Sequence, residues 1–320
     1  MSGGGSRELV AQPVLFIGGM GRSGTTVIER LLNEVPRLLA VGESVNLWKR
    51  GVRDGERCGC GEPFLSCPHW SAVGESAFGG WETVDVHRMV DASLSVDRTR
   101  RTPGLLLRRD PGSLSADQLW YLDHVVRVLR AAGSCAGPGT VVMDSTKHIS
   151  TAALVTIDPR LDVRVLHVVR DPRGVANSRT RAKPRPEAGN VAMSTRDPKV
   201  TAARWVTDNL GFELLARRGV PTLTVRYEDV IADPETQLRR IASFAGVDTS
   251  PGDFDFVSGR TARFSTPMHS AAGNPMRFDG DVLELREDTG WRNELSAGQR
   301  RAITMITAPL LGRYGYRFRP

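Results

Sequence analysis

Val14 to Leu32 reads VLFIGGMGRSGTTVIERLL. Val14–Ile17 is an apolar, β-prone run. It enters a loop with glycines at 18, 19, 21 and 24. The loop passes through Thr25-Thr26 into a helical pattern whose apolar positions are Val27, Ile28, Leu31 and Leu32. Strand, glycine loop, helix is the layout of an anion cradle: glycines let backbone N–H groups approach charged oxygens, and the helix N-terminus adds partial positive charge. From Gly19 the pattern is G-x-x-x-x-G-T-T, whereas the nucleoside-triphosphate loop reads G-x-x-x-x-G-K-[ST]. Thr25 stands where the lysine belongs. That lysine reaches the β- and γ-phosphates, so its absence disfavours ordinary ATP or GTP chemistry. Arg22 and Ser23 offer a cation and a hydroxyl instead, suited to a shorter phosphate chain.

A second strand-to-helix junction lies at Val163–Val169, VRVLHVV, followed by Arg170-Asp171-Pro172-Arg173-Gly174-Val175-Ala176-Asn177-Ser178. Pro172 fits a helix start. Arg170 then sits at a strand end and Ser178 two turns into the helix, where both can reach one anion. Thr222–Asp229, TLTVRYED, reads as another strand, and Asp233-Pro234-Glu235 opens a helix over 235–245. A late loop, His269-Ser270-Ala271-Ala272-Gly273-Asn274-Pro275-Met276-Arg277, carries a cation among turn residues.

Together these islands resemble the bacterial, P-loop type of sulfotransferase that uses 3′-phosphoadenosine-5′-phosphosulfate (PAPS). Gly21-Arg22-Ser23-Gly24-Thr25-Thr26 is similar to the family's 5′-phosphosulfate loop. Arg170 and Ser178 match its 3′-phosphate motif, in which an Arg is followed eight residues later by a Ser. The resemblance places Tyr227 near the adenine and Arg277 on the 3′-phosphate. It implies an α/β fold, P-loop-containing and three-layered, with a central mostly parallel sheet flanked by helices. The likeness spans Val14 to about Leu295.

Two groups are candidates for the chemistry. Lysine occurs only at 49, 147, 183 and 199, so 39 of the 43 basic residues are arginine. Lys147 follows the β-prone run Thr140–Met143 in Asp144-Ser145-Thr146-Lys147-His148, at the edge where parallel α/β sheets place their sites. A compact ammonium suits a developing point charge. With Arg22, Lys147 is assigned to the transferring group. An acceptor hydroxyl also needs a base. The resemblance points to Glu43 in Leu39-Ala40-Val41-Gly42-Glu43-Ser44, with a pKa expected near neutrality for efficient catalysis. His148 is the alternative base, since related enzymes use a Lys-x-His spacing, although here the two residues are adjacent. No metal is required for such a transfer. A divergent P-loop kinase and a non-catalytic nucleotide-binding protein are the rival readings.

Composition agrees with this. The chain has 320 residues, 40% hydrophobic and 25% charged, with net charge +7 and 6% aromatics. A basic surface favours an anionic ligand. No basic helical stripe or aromatic strand pattern points to nucleic acid, and no apolar run is long enough for a membrane span. The expected partner is a hydroxylated acceptor, a small molecule or glycoside, with a homo-oligomer left open. The expected location is cytoplasmic. Residues 1–13 read as a loose tail and 14–320 as one domain, with an acceptor-side insertion over about 44–115 and a gating loop over about 181–199. Helices are expected over 119–132, 172–180, 201–218 and 297–311.

Cys58, Cys60 and Cys67 cluster in ERCGCGEPFLSCPHW, with Cys135 far away. Cys58, Cys60, Cys67 and His69 would supply four zinc ligands, but C-x-C-x6-C-x-H is not a common spacing. A Cys60–Cys67 disulfide and free buried thiols are the other readings, and all three stay open.

Overall fold

The computed structural model describes residues 10–96, 102–182 and 184–318. Five parallel strands form the centre: β1 (Gln12–Gly18), β2 (Leu38–Gly42), β3 (Val141–Lys147), β4 (Leu161–Val169) and β5 (Thr222–Arg226). Their spatial order is β2-β3-β1-β4-β5. β1 lies in the middle, with Val14 opposite Val142 on one side and Val163 on the other. A strand so placed is covered on both faces, which is why its residues read as one apolar run rather than an alternation.

Successive side chains of β1 nonetheless enter different cores, as the pleat requires. Val14 and Phe16 pack with helix Ala116–Ala136 and the helices of the 44–115 region. Leu15 and Ile17 pack with helices Thr25–Leu32 and Pro234–Ala245. Each such side chain contributes roughly 1.5–3 kcal/mol by leaving water. The result is the expected three-layer arrangement of helices, parallel sheet and helices.

Most boundaries expected from sequence lie within a turn of those observed. Pro172–Thr180 and Ala297–Leu311 match, while the helices expected over 201–218 and 119–132 extend to Pro198–Arg217 and Ala116–Ala136. The first strand begins at Gln12, so the last residues of the expected tail belong to the sheet. β2 was not anticipated as a strand. The 44–115 region is largely helical where described. An aromatic cluster holds it, with Trp48 edge-on to Trp81 at 6.0 Å and Phe64 stacked on Trp70 at 4.9 Å. The 181–199 segment contains a short hairpin, Pro184–Arg185 against Val191–Ala192.

The cysteine cluster also differs from the expectation. Cys58, Cys60 and Cys67 converge on His269, two hundred residues away, rather than on His69. None of the four cysteines is joined in a disulfide.

Candidate active site

Every strand of the central sheet delivers a side chain or loop to one cleft at its C-terminal edge. The cleft has a volume of about 500 Å³. β1 leads to Gly19–Gly24, β2 to Glu43, β3 to Lys147 and His148, β4 to Arg170, and β5 to Tyr227. The register shifts at Gly18 opposite Lys147 and again at Gly42 opposite Asp144. Such irregularities re-aim side chains where ladder pairing stops.

The loop is closed by Ser23 N–H donating to Met20 O at 3.0 Å. Arg22 and Lys147 both hold left-handed backbone, with φ of 81° and 73°. Non-glycine residues rarely adopt this conformation, and it concentrates at functional sites. Gly24, at φ 88°, caps helix Thr25–Leu32. A Cβ there would enter the Tyr227 ring, so glycine permits loop and ring to touch.

Lys147 donates to Glu43 Oε1, and Asn46 donates to Glu43 Oε2 at 2.7 Å. The two charged side chains are 11% and 18% exposed, so the pair is largely desolvated. Burial alone would raise the Glu43 pKa, but the ammonium of Lys147, with Arg50 and His148 behind it, holds the carboxyl down at about 2. The near-neutral base expected from sequence is therefore not what this arrangement contains.

Two carboxylates that sequence reasoning overlooked position this pair. Asp144 accepts from Ser44 Oγ at 2.5 Å and from Thr146 N–H at 2.9 Å, tying the end of β2 to β3. Glu29, on the loop-bearing helix, accepts from Gly42 N–H at 3.0 Å and from Ser145 Oγ at 2.7 Å. Burial raises the Glu29 pKa to about 7, against the lowering effect of the Ser145 hydrogen bond.

The rest of the lining is dominated by cations. Arg170 spends one nitrogen on Arg22 O and the other on Asp288, both at 2.9 Å, and lies over the Tyr227 ring at 4.8 Å. Ser178 lines the same cleft, as its spacing from Arg170 implied. Arg179, Arg196 and Arg204 join it. Sequence reasoning had not singled them out, because arginine is scattered throughout the chain. Burial first, and then repulsion from Arg22, Arg196 and Arg204, lowers the Arg179 pKa to about 10. Arg22 Nε and Nη1, Arg179 Nε and Ser23 Oγ are buried without hydrogen-bond partners among the described residues. Buried donors are normally satisfied, so this set fits a strongly anionic ligand.

Arg277 is not part of it. The turn Pro275–Phe278 brings Asn274 and Met276 to the cleft, while the Arg277 side chain turns inward. Its guanidinium donates to Ser270 O at 3.1 Å and Arg57 O at 3.0 Å and is 3% exposed. It cross-links two segments through their carbonyls and does not line the cleft in this structure.

An α/β cleft with a glycine loop, crowded arginines and a lysine–glutamate pair defines an anion-handling transferase class of site. The "Sulfotransferase domain" family model matches residues 12–315, and the chain belongs to that family, for which PAPS is the typical donor. Carbohydrate sulfotransferase 2 of Mus musculus is 29% identical over 234 residues, covering 59% of this chain and 42% of that protein. Carbohydrate sulfotransferase 3 of Homo sapiens is 31% identical over 175 residues, covering 50% of this chain and 35% of that protein. The chain thus spans less than half the length of these relatives. Among solved structures, the sulfotransferase domain from the curacin biosynthetic pathway superposes with a TM-score of 0.53 at 14% identity, covering 96% of this chain and 98% of that one. The sulfotransferase domain from the Synechococcus PCC 7002 olefin synthase gives 0.54 at 20% identity, covering 96% of each. These structural likenesses concern the fold. Among the described residues no helix is long and apolar enough to cross a membrane.

Proposed function

We propose that this chain moves a sulfuryl group from PAPS to an acceptor hydroxyl by in-line displacement. The observation that carries the reading is the Lys147–Glu43 pair beside the glycine loop, facing buried arginine donors that have no partner among the described residues. In it, the Gly21–Thr26 backbone and Arg22 hold the 5′-phosphosulfate, Arg170 and Ser178 hold the 3′-phosphate, and Tyr227 offers its ring to the base. The threonine at position 25 argues against the kinase alternative, since triphosphate chemistry uses a lysine there.

The pair also suggests how the proton is handled. While Lys147 sits on Glu43, that carboxylate is too weak a base to accept a hydroxyl proton efficiently at neutral pH. When the ammonium shifts to an anionic donor oxygen, Glu43 becomes more basic. The same shift puts positive charge where the leaving phosphate develops negative charge. Glu43 then takes the acceptor proton as the acceptor O–S bond forms and the bridging S–O bond to phosphate breaks. Alignment and charge stabilisation supply the remainder.

A second hollow adjoins the first and shares His148, Arg204 and Asp208 with it. It is lined by Leu106, Leu107, Ile149, Leu210 and Leu214. This supports an acceptor that is a hydroxylated small molecule with an apolar body. The carbohydrate sulfotransferase relatives keep a glycoside as the second reading. The 181–199 segment, which brings Met193 and Arg196 to the cleft, is read as its gate, and a cytoplasmic setting belongs to the same reading.

Calorimetric titration with adenosine 3′,5′-bisphosphate tests the donor class, with AMP and ATP–magnesium as controls. The expected result is a preference for the bisphosphate of on the order of tenfold or more, about 1.4 kcal/mol. Equal or tighter binding of ATP–magnesium would overturn it. PAPS turnover on a panel of phenols, alcohols and glycosides then separates the two acceptor classes.

A further inference from the structure

The segment 57–63 folds back on itself as a tight turn. Cys58 N–H donates to Glu62 O at 2.8 Å, Gly61 N–H donates to Cys58 O at 2.9 Å, and Arg57 bridges Pro63. The turn packs against the late loop: Gly59 N–H donates to Ser270 O at 3.0 Å. A side chain at 59 would collide with Met268 O and with Ser270 Oγ at 2.6 Å, so only glycine allows this approach. Cys67 occupies the N-cap of helix Pro68–Phe78, which fixes its backbone beside the turn. Trp70 Nε1 donates to His269 O at 2.9 Å and fixes that backbone.

Four soft or borderline donors meet inside this packing. Cys60 Sγ lies 3.7 Å from Cys67 Sγ, and His269 Nδ1 lies 3.4 Å from Cys67 Sγ and 3.9 Å from Cys58 Sγ. All four ligand atoms fall within 4.8 Å of one another. A tetrahedral zinc ion with ordinary Zn–S and Zn–N bonds requires edges of about 3.8 Å between sulfurs and about 3.5 Å between sulfur and nitrogen. A disulfide would instead bring two sulfurs to about 2.0 Å. We propose that Cys58, Cys60, Cys67 and His269 Nδ1 bind one zinc ion in a closed, structural Cys3His site.

Three thiolates and one imidazole select zinc over magnesium or calcium, which take oxygen ligands. With four protein ligands, no position is left for substrate or activated water, so the ion takes no part in the transfer. Its place in the fold explains its use. Ala271 N–H donates to Val41 O at 2.9 Å and Glu43 N–H to Ala272 O at 3.1 Å, so the segment starting at His269 backs the strand that presents Glu43. Asn274 and Met276, a few residues on, line the cleft. The ion pins this segment to the 57–67 turn. His69, whose ring stacks on His269 at 4.8 Å, stands beside the site without ligating.

The test uses the full chain purified under reducing conditions without added metal. Elemental analysis should find about one zinc per chain. Replacement by cobalt(II) should give the intense visible bands and thiolate charge transfer of a tetrahedral sulfur site. Alkylation of the native protein should modify exposed Cys135 and spare Cys58, Cys60 and Cys67 until a chelator is added. His269→Ala should lose most of the metal and His69→Ala should keep it. Reduced protein that neither contains zinc nor develops the cobalt spectrum overturns the site. So does a Cys60–Cys67 disulfide in protein purified without reductant but with thiol blocking, or a His269→Ala variant with an unchanged cobalt spectrum. The alkylation and cobalt measurements on the unaltered chain decide the matter even if variants fail to fold.

Discussion

Two adjoining hollows of similar size, each about 500 Å³, are lined by opposite kinds of side chain. One gathers Arg22, Lys147, Arg170, Arg179 and Arg196 around a glycine loop. The other gathers leucines, including Leu107 and Leu214, which stay 77% and 41% exposed. Exposed apolar side chains grouped in a concave surface mark a binding site more often than isolated ones do. In the proposed reading the difference divides labour: the charged hollow holds the donor and the apolar hollow receives the acceptor. His148, Arg204 and Asp208, shared by both, mark where the two hollows join.

The division can be broken from the charged side first. Lys147→Asn removes the ammonium while tolerating left-handed backbone. It should lower kcat/KM by on the order of 10³-fold, with bisphosphate affinity reduced far less; a loss confined to affinity would make Lys147 a binding residue only. Arg22→Asn, chosen on the same backbone grounds, should weaken adenosine 3′,5′-bisphosphate binding by roughly thirtyfold. Unchanged calorimetric affinity would remove Arg22 from the donor site.

A third variant probes the scaffold under the charged side. The raised pKa of Glu29 means that the unfolded chain releases this proton first. The stabilisation is therefore complete below the unfolded value and is lost as pH rises through about 7. Glu29→Gln should abolish that loss and raise stability at pH 8 relative to wild type by on the order of 1–2 kcal/mol. Parallel denaturation curves at pH 5 and 8 check it, and equal pH slopes would refute the assignment. The smallest effect belongs to the apolar hollow. Leu214→Asp should raise KM for apolar acceptors by roughly fivefold while leaving bisphosphate affinity alone. A drop in both would mean that the two hollows are not separable.

What could be read in the chain was local. The strand, glycine loop and helix of Val14–Leu32 are contiguous, so propensity and spacing describe them without tertiary knowledge. Arg170 and Ser178 belong to one strand-helix junction, and their convergence follows from helix geometry. β2 was missed because Leu38–Gly42 holds a single β-branched residue, Val41, whereas the equally short β5 holds Thr222, Thr224 and Val225. Arg179, Arg196 and Arg204 were invisible against an arginine-rich background; only the folded cleft distinguishes them. Glu29 and Asp144 look like solvent-facing acids in a helix and a strand end, and their burial depends on the packing of β2 against β3. Arg277 misled for a related reason: a cation in a late loop reads as a ligand contact, but the turn it occupies faces it toward backbone carbonyls. Likewise His69, adjacent in sequence to the cysteines, gave way to His269, which only the chain's return brings near.

The backbone that receives Cys67 has a practical bearing on inhibitor discovery. Cys67 Sγ sits 3.4 Å from His269, and a short stretch of chain leads from His269 to Met276 at the cleft. A thiol-reactive or chelating compound that disturbs the cysteine cluster would therefore register as an inhibitor without entering the cleft. Hits from an activity screen need a competition experiment against the bisphosphate before they can be credited with occupying it.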